Sequence, residues 1–201
     1  MLSSRLSLLC DKVIEAGWLA AVIAAPLFFN VYSSRVFEPD KLTLVRSIAT
    51  AMAAAWLIKW LEERGAAKPA ATPLLRSALV LPTLILVGVY LLTTLTSITP
   101  RVSFFGSYQR LQGTYTTLAY IVVFFMILQG LRTRQQLDRL ILTIVLTSVP
   151  IALYGLIQKY RLDPLPWGGD VITRVSSNMG NPIFIAAYLI MPYFLTLGKI
   201  V

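Results

Sequence analysis

The sequence contains no histidine and only one cysteine, Cys10, among its 201 residues. Without histidine the chain has no imidazole general base, no imidazole metal ligand and no histidine to ligate haem. A single cysteine forms neither an internal disulfide nor a cysteine-only zinc or iron–sulfur site. The phosphate-loop patterns GxxxxGK[ST] and GxGxxG are also absent. The sequence therefore predicts no catalytic residue, metal or cofactor of these classes.

Charge is scarce and apolar residues are abundant. Only 13% of the residues are charged, 57% are hydrophobic, and the mean hydropathy is +0.72, whereas a soluble domain carries about 25% charged residues. Runs of about 20 apolar residues are long enough to cross a bilayer as helices, and these runs lack the alternation of a membrane barrel. We therefore predict an all-α transmembrane bundle without a soluble domain, a single membrane domain over residues 1–201. The six predicted spans are 13–31, 42–61, 78–98, 114–131, 137–156 and 182–197.

The distribution of lysine and arginine predicts the orientation of this bundle. Of the eighteen basic residues, ten fall in the tails and connectors of one side and seven on the other, with Arg46 inside a span. Because cytoplasmic loops carry the excess of basic residues, we expect both termini in the cytoplasm. The net charge of +9 is spread over both sides without a run of four basic residues. This pattern favours contact with anionic lipid head groups and predicts no nucleic acid partner.

Two charges lie within predicted spans, near their ends. Glu15 is close to the start of the first span and Arg46 is one turn into the second. Such side chains commonly extend to the membrane surface, which is the simpler interpretation. The alternative is a functional charge or an interhelical pair, since charges in the hydrocarbon region are costly.

Three outer connectors place a basic residue just before a helix. These are Lys41 in FEPDKLTLVR, Arg110 in SYQRLQGTYTT, and Arg174 in RVSSNMGNPIFIAAYL. Free backbone N–H groups and the positive end of the helix dipole also lie at helix starts, and Asn181-Pro182 is typical of a capped start. The combination favours an anion such as phosphate or diphosphate. The alternative is interfacial anchoring, with arginine on head groups and aromatic side chains in the membrane-surface belt.

These segments, in this order and spacing, resemble the N-terminal half of the O-antigen ligase and polymerase family of bacterial membrane proteins. The likeness covers residues from about Phe28 to Leu197. It is carried by Pro39 and Lys41, by FxGSYQRxQG with Arg110 and Gly113, and by RxxxxxGNPxFxAAYL with Arg174, Gly180, Asn181 and Pro182.

The resemblance implies a site at the outer face of the bacterial inner membrane. Members of the family transfer a glycan from polyprenyl diphosphate to an acceptor, without metal or nucleotide, and a histidine in the C-terminal half helps to activate the acceptor. By this likeness Arg174 is a diphosphate contact and Arg110 a supporting one. The chain contains no histidine and no counterpart of that C-terminal half, and Ile183 stands where the family usually has an asparagine.

Two functions are therefore predicted. The first is a non-catalytic accessory subunit that scaffolds a larger bacterial membrane complex, for example a respiratory or photosynthetic one, through contacts with lipids and other membrane subunits. The second is the N-terminal part of a ligase or polymerase that binds a polyprenyl-diphosphate-linked glycan. The missing histidine favours the first, and the arginine motifs favour the second.

Overall fold

The computed structural model describes residues 5–33, 36–65, 78–165 and 170–200. Within these ranges the chain forms seven α-helices, one 3-10 turn and no strand, which confirms the all-α prediction. The helices are α1 (Arg5–Leu27), α2 (Pro39–Gly65), α3 (Val80–Leu95), α4 (Pro100–Phe105), α5 (Thr114–Gly130), α6 (Arg134–Lys159) and α7 (Pro182–Ile200), with the 3-10 turn at Ser177–Met179.

Three of these helices, α2, α6 and α7, are long and apolar enough to cross a membrane. Two more, α3 and α5, are apolar but shorter. A helix of 16 or 17 residues rises about 24–26 Å, slightly less than a hydrocarbon core of about 30 Å. Helix α1 has the length, but its first half carries Asp11, Lys12 and Glu15.

Two predicted spans continue several residues past the ends of their helices. Helix α1 stops at Leu27, so residues 28–31 of the first predicted span are outside it. Asn30 causes this end, because its amide donates to Asp40 (2.7 Å) and its side-chain oxygen accepts from the Tyr32 N–H (3.1 Å), and such local bonds compete with helix formation. The third predicted span ends early, at Leu95.

Side chains cap the starts of α6 and α7. Thr133 precedes α6 in a capping box, in which its side chain accepts from the Gln136 N–H and Gln136 reaches back to the Thr133 N–H. Asn181 precedes α7 and its side-chain oxygen accepts from the Ile183 N–H (2.9 Å), with Pro182 as the first helical residue. The predicted capped start at Asn181-Pro182 is therefore confirmed.

The chain divides into two compact units. The first comprises Met1–Ala21 and Leu42–Arg132, and the second comprises Val22–Lys41 and Thr133–Val201. Trp18 and Met52 are fully buried in the first unit. In the second, the fully buried side chains are Ile151, Gln158 and Ser177, two of them polar. Each unit contains one of the two loops that make up the candidate site.

Candidate functional site

The first loop, residues 106–113 between α4 and α5, is called the glycine loop here. Its two ends meet: a Cβ on Gly113 would lie 2.3 Å from the Gly106 nitrogen and 2.5 Å from the Phe104 carbonyl oxygen. Gly106 also has a φ of +89°, in the region that glycine adopts without strain. The two glycines of GSYQRLQG are therefore required by this close approach of backbone to backbone.

Arg46 of α2 lies against this loop and holds it closed. The Arg46 guanidinium donates to the carbonyl oxygens of Phe105 (2.9 Å) and Leu111 (2.5 Å) and to the Thr116 hydroxyl through Nε (2.9 Å) and Nη2 (2.6 Å). Thr116 in turn donates to the Leu111 carbonyl (2.6 Å). Arg46 is only 8% exposed, so these acceptors replace the water that a buried cation loses.

An aromatic ring covers the same guanidinium. The Arg46 Cζ lies 4.6 Å from the centroid of the Tyr115 ring, within the range of a cation–π interaction. Tyr115 is stacked on Phe104 at 6.1 Å. Carbonyl oxygens, a hydroxyl and a ring therefore stabilise Arg46 inside the first unit, where the simpler interpretation of the sequence has it extending to the membrane surface.

Arg110 occupies the outside of the glycine loop. Its N–H donates to the Ser107 carbonyl (3.1 Å), as does the N–H of Leu111 (2.8 Å), so the backbone at this position is fixed. The Arg110 side chain is exposed and makes no hydrogen bond or ion pair with the part of the chain that the structure describes. Arg110 is therefore a solvent-facing cation on a rigid backbone.

The second loop, residues 174–181 before α7, is called the serine loop here. Gln158 of α6 holds its centre, accepting from the Ser177 N–H (2.7 Å) and donating to the Ser177 carbonyl (3.3 Å). The Ser177 hydroxyl donates to the Ile151 carbonyl (2.8 Å). Gln158 is 1% and Ser177 0% exposed, so this paired amide satisfies backbone groups that would otherwise be buried without partners.

Two further contacts fix the serine loop. The Asn178 amide donates to the carbonyls of Pro26 (2.7 Å) and Leu27 (3.0 Å), which are the unsatisfied acceptors at the end of α1. Gly180 has a φ of +72°, and a Cβ there would lie 2.5 Å from the Phe37 ring. Ser177, Asn178 and Gly180 of the RVSSNMGNP motif therefore have structural roles in the loop.

Arg174 begins the serine loop and is exposed, with no hydrogen bond or ion pair to any residue of the described ranges. The preceding turn is ordered by Asp170, which accepts from the N–H groups of Ile172 (3.1 Å) and Thr173 (3.0 Å) and from the Thr173 hydroxyl. Bonds from Thr173 hold the pKa of Asp170 below its ordinary value. Lys159 donates to the Ile172 carbonyl (3.0 Å).

The remaining candidates are less exposed. Lys41 is half-buried in the second unit beside Glu38, and Asn181 is half-buried as the cap of α7. Glu15 is half-buried in α1 and has a partner. The structure thus brings Arg46 and Arg110 to one loop of the first unit, while Lys41, Arg174 and Asn181 belong to the second.

Sequence reasoning missed the residues that build the loops, namely Thr116, Gln158 and Ser177. A signal for one of them was present, because Gln158 interrupts the apolar run of α6 near its end. Buried amides in apolar helices need partners. No comparable signal marks Thr116, since threonines are common in this part of the chain.

Comparison with known proteins gives no family model, no curated protein and no solved structure that matches this chain. The likeness to the O-antigen ligase family therefore stays a prediction from the motifs. Among the described residues, no three His, Cys, Asp or Glu side chains are grouped so that they would hold a metal ion. The chemistry available at the two loops is that of exposed guanidinium groups on loops that buried hydrogen bonds hold in place.

Proposed function

We propose that this chain binds the diphosphate of a polyprenyl-linked glycan, as the N-terminal part of a lipid-linked glycan ligase or polymerase of the bacterial inner membrane. One observation carries the proposal. Each loop uses its buried residues to fix the backbone and leaves one arginine, Arg110 or Arg174, facing outward without a partner among the described residues. An ordinary connector between helices does not need such a construction.

Fixed loops make arginine an effective anion ligand. Guanidinium presents a planar fork that matches the oxygens of a phosphate, and charge-assisted bonds of this kind are stronger than neutral ones. Binding also avoids the cost of ordering either loop, because Arg46 already holds the glycine loop and Gln158 already holds the serine loop. The proposal is made for each loop by itself: Arg174 is the anion contact of the serine loop, and Arg110 is the anion contact of the glycine loop.

The membrane arrangement belongs to the same proposal. Five apolar helices together with α1 would give about six passes, with both chain ends in the cytoplasm and the two loops at the non-cytoplasmic face. Helices α2, α6 and α7 support it by length and composition, and the shorter helices α3 and α5 support it by composition. Lipid-linked glycans are consumed at that outer face, where the exposed arginines would meet the diphosphate.

A binding measurement in lipid nanodiscs tests this function. Undecaprenyl diphosphate should bind the native protein more tightly than undecaprenyl monophosphate. Arg174→Ala should weaken diphosphate binding by about 10-fold or more, because one charge-assisted hydrogen bond contributes about 1.5–3 kcal/mol. The matched control is Arg161→Asn, which removes an exposed arginine of the same outer connector at a position with φ +61° that asparagine tolerates.

For the first unit, the test variant is Arg110→Ala and its matched control is Arg101→Ala. Both arginines are exposed, and Arg101 belongs to the neighbouring helix α4. The proposal expects a smaller loss for Arg110→Ala than for Arg174→Ala, and none for Arg101→Ala. Equal affinity of native and Arg174→Ala proteins for the diphosphate would reject it.

A second candidate function is an accessory subunit of a larger membrane complex, and helix α3 favours it. Of the 16 residues of α3, only Val80 and Thr94 are buried, so almost the whole surface of this apolar helix is available to lipid or to helices of other subunits. The test is purification in a mild detergent. The accessory function expects other membrane proteins in fixed ratio, and isolation as a stable single chain would reject it.

A further inference from the structure

A cavity of about 610 Å³ lies in the first unit, and its wall is unusual for a membrane protein. Residues of α3, α4, the glycine loop and α5 line it. Eight of the ten lining residues carry a hydroxyl group, and none carries a formal charge. Its volume falls in the range of about 300–1,000 Å³ that is typical of small-molecule sites.

Several of these hydroxyl groups already donate their proton in a hydrogen bond to another group of the protein. Thr93 donates to the Val89 carbonyl (2.8 Å), and Thr94 donates to the Tyr90 carbonyl (2.7 Å). Thr94 and Thr114 are also paired at 2.5 Å. A hydroxyl that donates its single proton to the backbone still has acceptor capacity. The wall formed by α3 therefore offers mainly acceptors to anything in the cavity.

An acceptor-rich, uncharged wall selects the chemistry of its ligand. A ligand with several hydroxyl groups can donate to these oxygens, while the Gln112 amide at the rim supplies donors in return. A carboxylate brings only acceptors, and besides the Gln112 amide and the tyrosine hydroxyls the wall offers it few donors to replace the water that it loses. Arg46 is not among the residues that line the cavity, and its Nε and Nη2 are engaged by Thr116 and by loop carbonyls.

Two tyrosines complete the wall. Tyr90 and Tyr120 line the cavity and both rings are partly exposed. A sugar ring combines hydroxyl donors with an apolar C–H face, and aromatic rings provide large flat apolar surfaces for such a face. Hydroxyl acceptors, an amide and two rings together match a carbohydrate better than an ion or a lipid chain.

We propose that this cavity binds one uncharged sugar ring and excludes acidic sugars. The assignment of that ring to the lipid-linked glycan rests on the proposed function, whereas the cavity itself lies within the first unit and does not involve Arg174. The Thr116 side chain lines the cavity and also accepts from Arg46. The glycine loop and the sugar site therefore share one wall.

The experiment uses saturation-transfer NMR on the full chain in nanodiscs, with empty nanodiscs subtracted. The probes are methyl β-glucopyranoside, methyl β-galactopyranoside and the methyl glycoside of N-acetylglucosamine, each compared with methyl β-glucuronide. We expect at least one neutral glycoside to bind and the glucuronide to bind at least 10-fold more weakly. Absence of binding by all three neutral glycosides, or equal binding of the glucuronide, would overturn the proposal.

Matched variants on one helix localise the site. Thr93→Val removes a cavity acceptor and should weaken the glycoside about 5-fold, since a neutral hydrogen bond contributes about 1 kcal/mol. Thr83→Val is the control, because Thr83 makes the same bond to the carbonyl four residues earlier (2.7 Å to Leu79) but does not line the cavity. Equal affinities of the two variants would overturn the assignment.

Arg174→Ala separates this inference from the proposed function. It should weaken the binding of undecaprenyl diphosphate by about 10-fold or more and leave the binding of the neutral glycoside unchanged. Failure of the diphosphate assay alone would reject the proposed function, and failure of the glycoside assay alone would reject the sugar site. Thermal unfolding is measured for every variant, so that a loss of binding can be distinguished from a loss of folding.

Discussion

Gly106 and Gly113 meet at the two ends of the glycine loop, with space for a Cβ on neither. A methyl group on Gly113 would lie 2.3 Å from the Gly106 nitrogen, and one on Gly106 would lie 2.4 Å from the Leu111 carbonyl carbon. Arg46 binds the carbonyls of Phe105 and Leu111, which are next to this contact. The stability of the loop and the position of Arg110 thus depend on one packed crossing of backbone.

The first prediction concerns this crossing. Gly113→Ala should lower the free energy of unfolding by about 1–3 kcal/mol, because the added methyl group meets backbone that cannot move aside. Gly88→Ala is the control, because Gly88 lies within α3 and a Cβ there would meet nothing within 4 Å. Gly88→Ala should raise the free energy of unfolding by roughly 0.5–1 kcal/mol, because alanine is favoured over glycine inside a helix. Unfolding in detergent measures both, and an equal effect of the two substitutions would contradict the loop geometry.

The second prediction concerns Arg46. Arg46→Met keeps much of the side-chain volume but removes the donor to the Phe105 carbonyl and the bonds from the guanidinium to the Leu111 carbonyl and to Thr116. A buried group left unsatisfied costs roughly 1–3 kcal/mol. The variant should unfold at a clearly lower temperature. It should also expose the glycine loop to proteolysis. Arg101→Met, which changes an exposed arginine of α4, should stay within about 0.5 kcal/mol of the native protein. A native melting temperature for Arg46→Met would show that Arg46 does not hold the loop.

The third prediction concerns the buried amide of the second unit. Gln158→Leu leaves the N–H and carbonyl of Ser177 unpaired and should destabilise by about 1–3 kcal/mol for each group. Ser177→Ala removes the bond to the Ile151 carbonyl. Because both residues belong to one network, the loss in free energy of unfolding for the double variant should be smaller than the sum of the losses for the two single variants. Simple additivity in unfolding measurements would contradict the network, and Gln109→Leu, at an exposed position, is the control.

The fourth prediction is a pH dependence in the turn before Arg174. Hydrogen bonds from Thr173 lower the pKa of Asp170, so the ionised carboxylate stabilises the turn at pH values above the ordinary aspartate pKa. This contribution is lost as the pH falls through the depressed pKa of the folded protein. Carboxyl NMR should show Asp170 titrating below a typical aspartate, and Thr173→Val should raise its pKa. An unchanged pKa in Thr173→Val would contradict the assigned cause.

Local signals in the sequence predicted the helices well. Apolar runs located α5, α6 and α7 to within a few residues, and Asn181-Pro182 gave the start of α7. Helix α1 was misplaced at its end because the Asn30–Asp40 bond joins residues ten apart. Such a contact leaves no trace in hydrophobic periodicity.

The candidate site was only partly predictable. The sequence marked Arg110 and Arg174 as exposed basic residues, since both lie in polar connectors. It did not reveal that Arg46 holds the glycine loop, because Thr116 is 70 positions away from Arg46. The serine loop likewise depends on bonds from Asn178 to residues about 150 positions earlier. Long-range pairing of this kind is decided by packing rather than by local pattern.

The sidedness of Arg174 tests the central claim most directly. In a Cys10→Ser background, Arg174→Cys is treated with a membrane-impermeant maleimide, on cells whose inner membrane is intact and whose outer surface is accessible. If the serine loop meets a lipid-linked diphosphate at the non-cytoplasmic face, we expect full labelling of Arg174→Cys under these conditions. Labelling only after the inner membrane is permeabilised would place Arg174 in the cytoplasm and contradict the account.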